Sequence, residues 1–380
     1  MQTVEILDRL VAFPSVSSRS NLDIAGWIAD YLGAAGFEVL RLPDATGEKC
    51  GLLARLGPRV DGGLLLSAHM DVVPVEGQDW TSDPFRLSAR GGRYYGRGTA
   101  DMKGFLAATL AVAADAAAGP LARPLLLSLS YDEEVGCRGI PAMIPHVPAF
   151  CGRPALCLVG EPTRLDIATG HKGKVSGLVR CHGTAGHSAL APLHVNALHL
   201  AADMIGAMRA EQARLEDEGV RDAGHDIAYS TVHAGLMRGG RALNIVPDLA
   251  EIDFEIRHLA ADDPGDILAR LRAAGEALAT DTRDPAARIE VEVVNAYPGL
   301  EADPGGVAVS ALRAHLPDAR LMKVAYGTEA GFFDALGIPT LVCGPGDMAQ
   351  GHRPDEFIEA DQLEGCERLL RGLADDLAHR

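Results

Sequence analysis

A scattered set of hard and borderline metal ligands stands out first: His69 and Asp71 in SAHMDVVP, Asp101 in GRGTADMKG, Glu133 and Glu134 in SYDEEVG, Glu161 in VGEPT, and His352 in GHRPDE. Imidazole mixed with carboxylate suits zinc, cobalt or manganese, and the absence of thiolates from the set argues against a closed structural zinc site. One carboxylate can bridge two divalent ions about 3.5 to 4 Å apart, and such a pair can generate hydroxide and clamp both oxygens of a tetrahedral intermediate. Adjacent glutamates add something a structural site does not need, because one can bind metal while its neighbour stays free to move protons. Singly, an HxD is commonly a strand-end histidine followed by a turn aspartate, and DEE is commonly a solvated acidic turn. The chemistry is signalled by all of them occurring in order, each after an apolar strand.

The elements that must position these residues are legible. Gly63 to His69, Pro124 to Tyr131 and Ala155 to Gly160 are short apolar runs that read as buried strands, and Met102 to Ala118 reads as an alanine-rich helix stopped by Gly119 and Pro120. Up to about residue 170 strands alternate with helices, the pattern of a mostly parallel sheet flanked by helices, whose site lies in loops beyond the carboxyl ends of its strands. From about Lys172 the order becomes βαββαβ, an α+β, ferredoxin-like arrangement with helices on one face of an antiparallel sheet. It includes a helix from His194 to Leu215 whose stripe Val195, Leu198, Ala202 and Ile205 reads as core-facing. After about residue 297 the α/β alternation resumes. The expected organisation is therefore an α/β domain in two parts, 1–171 and 297–380, interrupted by a small domain at 172–296.

The 380 residues exceed what one core normally supports, which agrees with two domains. Fifty-two acidic against 35 basic residues give a formal charge of -17, which argues against nucleic acid or an anionic membrane as partner. Seven cysteines with no CxxC pair suggest reduced thiols. The N-terminal MQTVEILDRLVAF carries Glu5 and Asp8 in an amphipathic pattern unlike a signal peptide, and the run Gly104 to Ala114 is too short to span a bilayer, so a cytoplasmic protein is expected.

As a set, SAHMDVVP, GRGTADMKG, DEE, GEPT and GHRPDE resemble the M20 family of metallohydrolases over nearly the whole chain. The resemblance implies a catalytic domain with two divalent metal ions, zinc or cobalt, and an inserted lid domain that often mediates dimerisation, hence a homodimer. It implies that His69 and Glu161 bind one metal, Glu134 and His352 the other, and that Asp101 bridges them. Asp71 is then expected to hydrogen-bond His69, and Glu133 to be the general base that passes a proton to the departing amine. In the inserted domain, His187 of GTAGHSA resembles the family histidine that stabilises the developing oxyanion, often from the partner subunit, while Asn244 and Arg257 resemble residues that hold the substrate carboxylate. Without the motifs, His187 would read as an ordinary surface or core histidine and Arg257 as a strand-end charge.

Subtype rests on fewer residues. GTADMKG, GEPTRLDIATGHKG and YGTEAGFF are most similar to bacterial acetylornithine deacetylases, while desuccinylases usually differ where Thr328, Glu329 and Ala330 stand. That implies release of acetate from N2-acetyl-L-ornithine, a step of arginine biosynthesis, and Glu329 is positioned by its turn either to face the δ-ammonium or to sit as a carboxylate at a helix N-terminus. A desuccinylase, another N-acyl-amino-acid hydrolase or a dipeptidase would use the same centre, and an inactive metal-binding scaffold would not need Glu133. A Rossmann-type oxidoreductase is excluded by the lack of a GxGxxG after the first strand.

Overall fold

The computed structural model describes residues 1–378. The chain divides into two compact units, the first comprising Met1–Gly170, Leu300–Val324 and Thr328 onward, the second His171–Gly299 with Ala325–Gly327.

Unit 1 is a mixed α/β structure built on a nine-stranded sheet. At its centre four strands run parallel in the order Leu125–Ser130, Leu64–His69, Leu156–Pro162, Thr340–Gly344. Every residue of these four strands is buried, which explains why each reads as an unbroken apolar run rather than an alternating one. Antiparallel strands Cys50–Leu56 and Glu38–Pro43 extend the sheet beyond Leu125–Ser130. The helix Gly104–Ala116 is buried on all sides from Gly104 to Ala113 and packs against Thr3–Val11 and Ala360–Asp376. No helix among the described residues is long and apolar enough to cross a membrane. Gly160 permits the closest helix-to-sheet approach next to the site, since a Cβ there would lie 2.0 Å from the Phe105 ring.

The expected helix from Met102 begins instead at Gly104. Asp101 (φ -123°, ψ 96°) and Met102 (φ -130°, ψ 34°) are not helical, so the residues before the helix form a wide turn that presents Asp101 sideways.

In unit 2 the strands Gly173–His182, Thr231–Gly239, Leu249–His258 and Arg288–Tyr297 form an antiparallel sheet with Gly173–His182 and Leu249–His258 in the middle. The helices Ala197–Glu218 and Pro264–Asp281 cover one face, giving the βαββαβ order. Their starts follow capping chemistry: Asn196 accepts from the Leu198 amide at 2.9 Å and Asp263 from the Gly265 amide at 2.7 Å, with Pro264 in the first turn. The buried stripe of the first helix is Ala197, Leu200, Ala201, Met204 and Met208, whereas Ala202 is exposed and Val195 precedes the helix. Val195, Leu198 and Ile205 of the expected stripe pack half-buried against the same core, while Ala202 turns away from it.

Candidate metal centre

His69 ends the second of the central parallel strands, Glu161 stands near the end of the third, Glu133 and Glu134 fill the turn after Leu125–Ser130, Asp101 occupies the turn before Gly104–Ala116, and His352 lies in the connection after Thr340–Gly344. Parallel strands side by side deliver their carboxyl-end loops to one edge, which is how residues up to 283 positions apart meet.

The geometry centres on Asp101, which is 3 % exposed. Its Oδ1 lies 3.1 Å from His69 Nε2 and its Oδ2 lies 3.1 Å from His352 Nε2. On the first side Glu161 Oε1 is 3.8 Å from His69 Nε2, and on the second Glu134 Oε2 is 2.9 Å from His352 Nε2. Donor atoms of His69, Glu133 and Glu161, and again of His69, Asp101 and Glu134, fall within 4.8 Å of one another.

Asp71 works differently from a simple partner of His69. His69 Nδ1 donates to the Asp71 carbonyl at 2.9 Å, while the Asp71 carboxylate is 3.6 Å away. That carboxylate accepts from Ser17 Oγ at 2.6 Å and from the amides of Glu133 at 3.2 Å and Glu134 at 3.3 Å. Asp71 therefore orients the imidazole through its backbone and anchors the two-glutamate turn through its side chain. Asp132 (φ 55°) and Cys137 (φ 55°) hold left-handed conformations at either end of that turn.

Burial pushes the Glu133 and Glu134 carboxyls up to about 8, with neighbouring negative charge adding to the effect, and raises Glu161 well above the carboxylate range. His352 is pushed up to about 10 by its hydrogen bonds to Asp101 and Glu134. Burial alone would depress His69, but Asp101, Asp71 and Glu161 outweigh it and hold the imidazole well above its usual value. Four acids, Asp101 and Glu161 buried and Glu133 and Glu134 half-buried, thus face two imidazoles, and the Glu134 Oε1 atom is buried without a hydrogen-bond partner. That donor set, carboxyl oxygens outnumbering imidazoles and one carboxyl oxygen without a partner, fits a pair of divalent cations that would displace the protons.

Residues 65–376, more than four-fifths of the sequence, match the model of peptidase family M20/M25/M40. The chain belongs to that family. Solved structures agree in fold: aminopeptidase PepT from Bacillus cereus is 22 % identical, with 100 % of this chain and 98 % of that one aligned at a TM-score of 0.78. The M20 family metallo-carboxypeptidase Sso-CP2 from Sulfolobus solfataricus is 18 % identical over 98 % of each chain, TM-score 0.77. The YXEP protein of Bacillus subtilis, described as a dinuclear metal-binding peptidase, is 14 % identical over 99 % of this chain and 97 % of its own, TM-score 0.70. This M20 protein is accordingly a hydrolase, and the cluster supplies the candidate ligands of the family's dinuclear metal site.

Within unit 2 of the M20 fold, His187 and Asn244 come together. The two-residue strand Gly186–His187 pairs with Ile245–Val246, and the Ser188 amide donates to the Asn244 carbonyl at 3.0 Å. His187 is exposed, and its Nδ1 accepts from the Ala189 amide at 3.1 Å, which leaves Nε2 as the protonated, outward-facing donor. Arg257 is not with them. It lies near the far end of Leu249–His258, roughly 27 Å along the strand from Leu249 at about 3.4 Å per residue. There its guanidinium donates to Glu255 at 3.1 Å and to the Tyr297 hydroxyl at 3.1 Å.

In unit 1, Glu329 immediately precedes the short helix Ala330–Asp334, is 2 % exposed, and has Oε1 without a hydrogen-bond partner; burial pushes it up to about 7. Its negative charge adds to the burial that raises Glu133. Sequence reasoning missed Ser17, and it missed Cys137, whose thiol donates to Glu133 Oε1 at 3.3 Å. A cysteine four residues after the first glutamate of a DEE turn was the available signal for the latter.

Proposed function

We propose that the protein hydrolyses the amide bond of N2-acetyl-L-ornithine, yielding L-ornithine and acetate, on a centre in which His69 and Glu161 hold one divalent cation, Glu134 and His352 the other, and Asp101 both. The observation that carries the metal assignment is the placement of the two Asp101 oxygens, each 3.1 Å from a different imidazole Nε2. Bound there, two zinc or cobalt ions would lower the pKa of a water and polarise the acyl carbonyl. Glu133, held by the Asp71 carboxylate through its amide and by Cys137 through its side chain, takes the proton from water and returns it to the leaving nitrogen. His187 donates Nε2–H to the developing oxyanion, while Asn244 and Arg257 hold the substrate carboxylate, Arg257 through a guanidinium already aligned by Glu255 and Tyr297. Since His187 and Asn244 lie beyond the Leu249 end of the strand Leu249–His258 and Arg257 near its other end, the reading includes a homodimer through unit 2 in which each subunit completes the other's site.

Support for the ornithine side chain comes from Glu329, a buried carboxyl with an oxygen lacking a hydrogen-bond partner, whose charge also raises Glu133; such a group suits an ammonium. The GTEAG turn and the remaining subtype motifs point the same way. The pathway is then arginine biosynthesis and the setting the cytoplasm. A second reading, hydrolysis of a short peptide on the same centre, is favoured by the likeness to solved aminopeptidase, carboxypeptidase and dipeptidase structures.

The test is amine release from acetylornithine, acetylcitrulline, acetylmethionine, succinyl-diaminopimelate and a dipeptide after zinc or cobalt is added to metal-stripped protein. Preference for acetylornithine is expected. Preference for the dipeptide would replace the substrate and keep the centre, and metal uptake without any cleavage would favour an inactive scaffold.

A further inference from the structure

Three side chains outside the ligand set join the turn that carries Asp101 to the turn that carries His352. Glu356, 1 % exposed, accepts from the consecutive amides of Ala100 at 2.9 Å and Asp101 at 3.1 Å through Oε1. Those amides belong to the wide turn, where Asp101 and Met102 depart from helical geometry, so the carboxylate does for them what a helix would otherwise do. Its second oxygen, Oε2, accepts from Nη1 of Arg97, itself 1 % exposed, at 2.6 Å. Arg97 Nη1 also donates to the Arg353 carbonyl at 3.3 Å, and Nη2 donates to Gln78 Oε1 at 2.5 Å and to the Pro74 carbonyl at 3.4 Å. Gln78 in turn donates through Nε2 to the carbonyl of His352 at 3.0 Å, and its Oε1 also accepts from Trp80 Nε1 at 3.1 Å. His352 stands at φ 61°, in the left-handed region that few non-glycine residues adopt.

A buried Arg–Glu pair is weak evidence of stabilisation, since apolar residues of equal volume often do as well. What apolar residues cannot do is hold the amides of Ala100 and Asp101 and the carbonyl of His352 at the same time. We propose that Arg97, Glu356 and Gln78 are positioning residues that fix the spacing between Asp101 and His352, and so set the affinity of the cation shared by Asp101, Glu134 and His352. The inference rests on the metal reading of the site and deepens it.

The experiment is calorimetric titration of cobalt(II) into metal-stripped wild type, Glu356→Gln and Gln78→Ala, with the visible cobalt spectrum followed in parallel. Glu356→Gln keeps one oxygen for the amides but sets an NH2 against the guanidinium. The wild type is expected to take up two ions per chain. Glu356→Gln should weaken one of them by about 10- to 100-fold, Gln78→Ala by about tenfold, and both should alter the cobalt spectrum. Should Glu356→Gln fail to fold, Gln78→Ala, which alters a half-buried loop residue, decides the matter alone. Variants that bind both ions as tightly as a two-ion wild type, with unchanged spectra and only a lower melting temperature, would overturn the clamp and leave the metal centre intact. A wild type that takes up no ion would overturn the metal reading and the clamp with it.

Discussion

On the open face of the unit 2 sheet, Glu251 and Glu292 share Arg180, Glu255 holds Arg257, and Glu290 holds Arg288. Among the described residues of unit 1, the basic side chains paired with Asp101, Glu134 and Glu161 are His69 and His352, and Glu133 has no ion-pair partner. The consequences run in opposite directions. Hydrogen bonding to Arg288 draws Glu290 below its usual range, and Arg257 overcomes the burial of Glu255 to do the same, whereas burial drives Glu133 and Glu134 up to about 8. An acid balanced by a cation of its own chain is a matter of solubility and modest stability, while buried acids left in surplus describe a place for cations from outside.

The contrast is broken most sharply at Glu133. Glu133→Gln should lower turnover by about 10²- to 10⁴-fold while leaving metal content at the wild-type level. Turnover near normal, measured at saturating substrate and metal, would remove Glu133 from the proton-transfer role. At His69, which belongs to both ligand groups, replacement by alanine should weaken metal retention by at least about 100-fold, read by elemental analysis after dialysis against a competing chelator. Full occupancy of both sites would contradict its place in the cluster.

A smaller effect is expected from a buried histidine of unit 2 with no metal partner proposed for it. Burial, together with His225, His258 and Arg257, lowers His171 to about 4, so the folded protein keeps it neutral where the unfolded chain, near 6.5, takes up a proton. Its contribution is fully present above pH 6.5 and is lost as pH falls toward 4, amounting to about 3 kcal/mol. Urea unfolding between pH 7 and pH 4.5 reads this, and His171→Gln should flatten part of the slope; an identical slope in the variant would refute it. Smallest of all is Arg180→Ala, which removes the solvent-facing pairs with Glu251 and Glu292 on the open face and should shift the unfolding midpoint little. A clear loss there would mean that the balanced acids of unit 2 carry more than local compensation.

The parts of this account that were legible in the sequence are those with local signatures. Leu64–His69 and Leu125–Ser130 announce themselves as unbroken apolar runs because both faces are covered, and the ligands follow because parallel strands end on the same edge. The start of Gly104–Ala116 was displaced by two residues because nothing in ADMKG betrays that Asp101 and Met102 turn away from the helix. Glu356 lies 255 residues from the Asp101 amide it holds, and Arg97 lies 259 residues from Glu356; contacts of that span leave no periodicity to read. The role of Asp71 was half visible: two residues after His69 it belongs to the same motif, but its grip on the glutamate turn depends on a contact 62 residues away.

Whether the acids of unit 1 hold two cations is read by zinc titration of metal-stripped protein at pH 7, repeated in two buffers of different ionisation enthalpy. Without metal, Glu133 and Glu134 near 8 and His352 near 10 carry protons at that pH, and ligands must give theirs up on binding. Two zinc ions per chain with net proton release to the buffer are expected. Binding of no ion, or of ions without proton release, would contradict the two-cation reading.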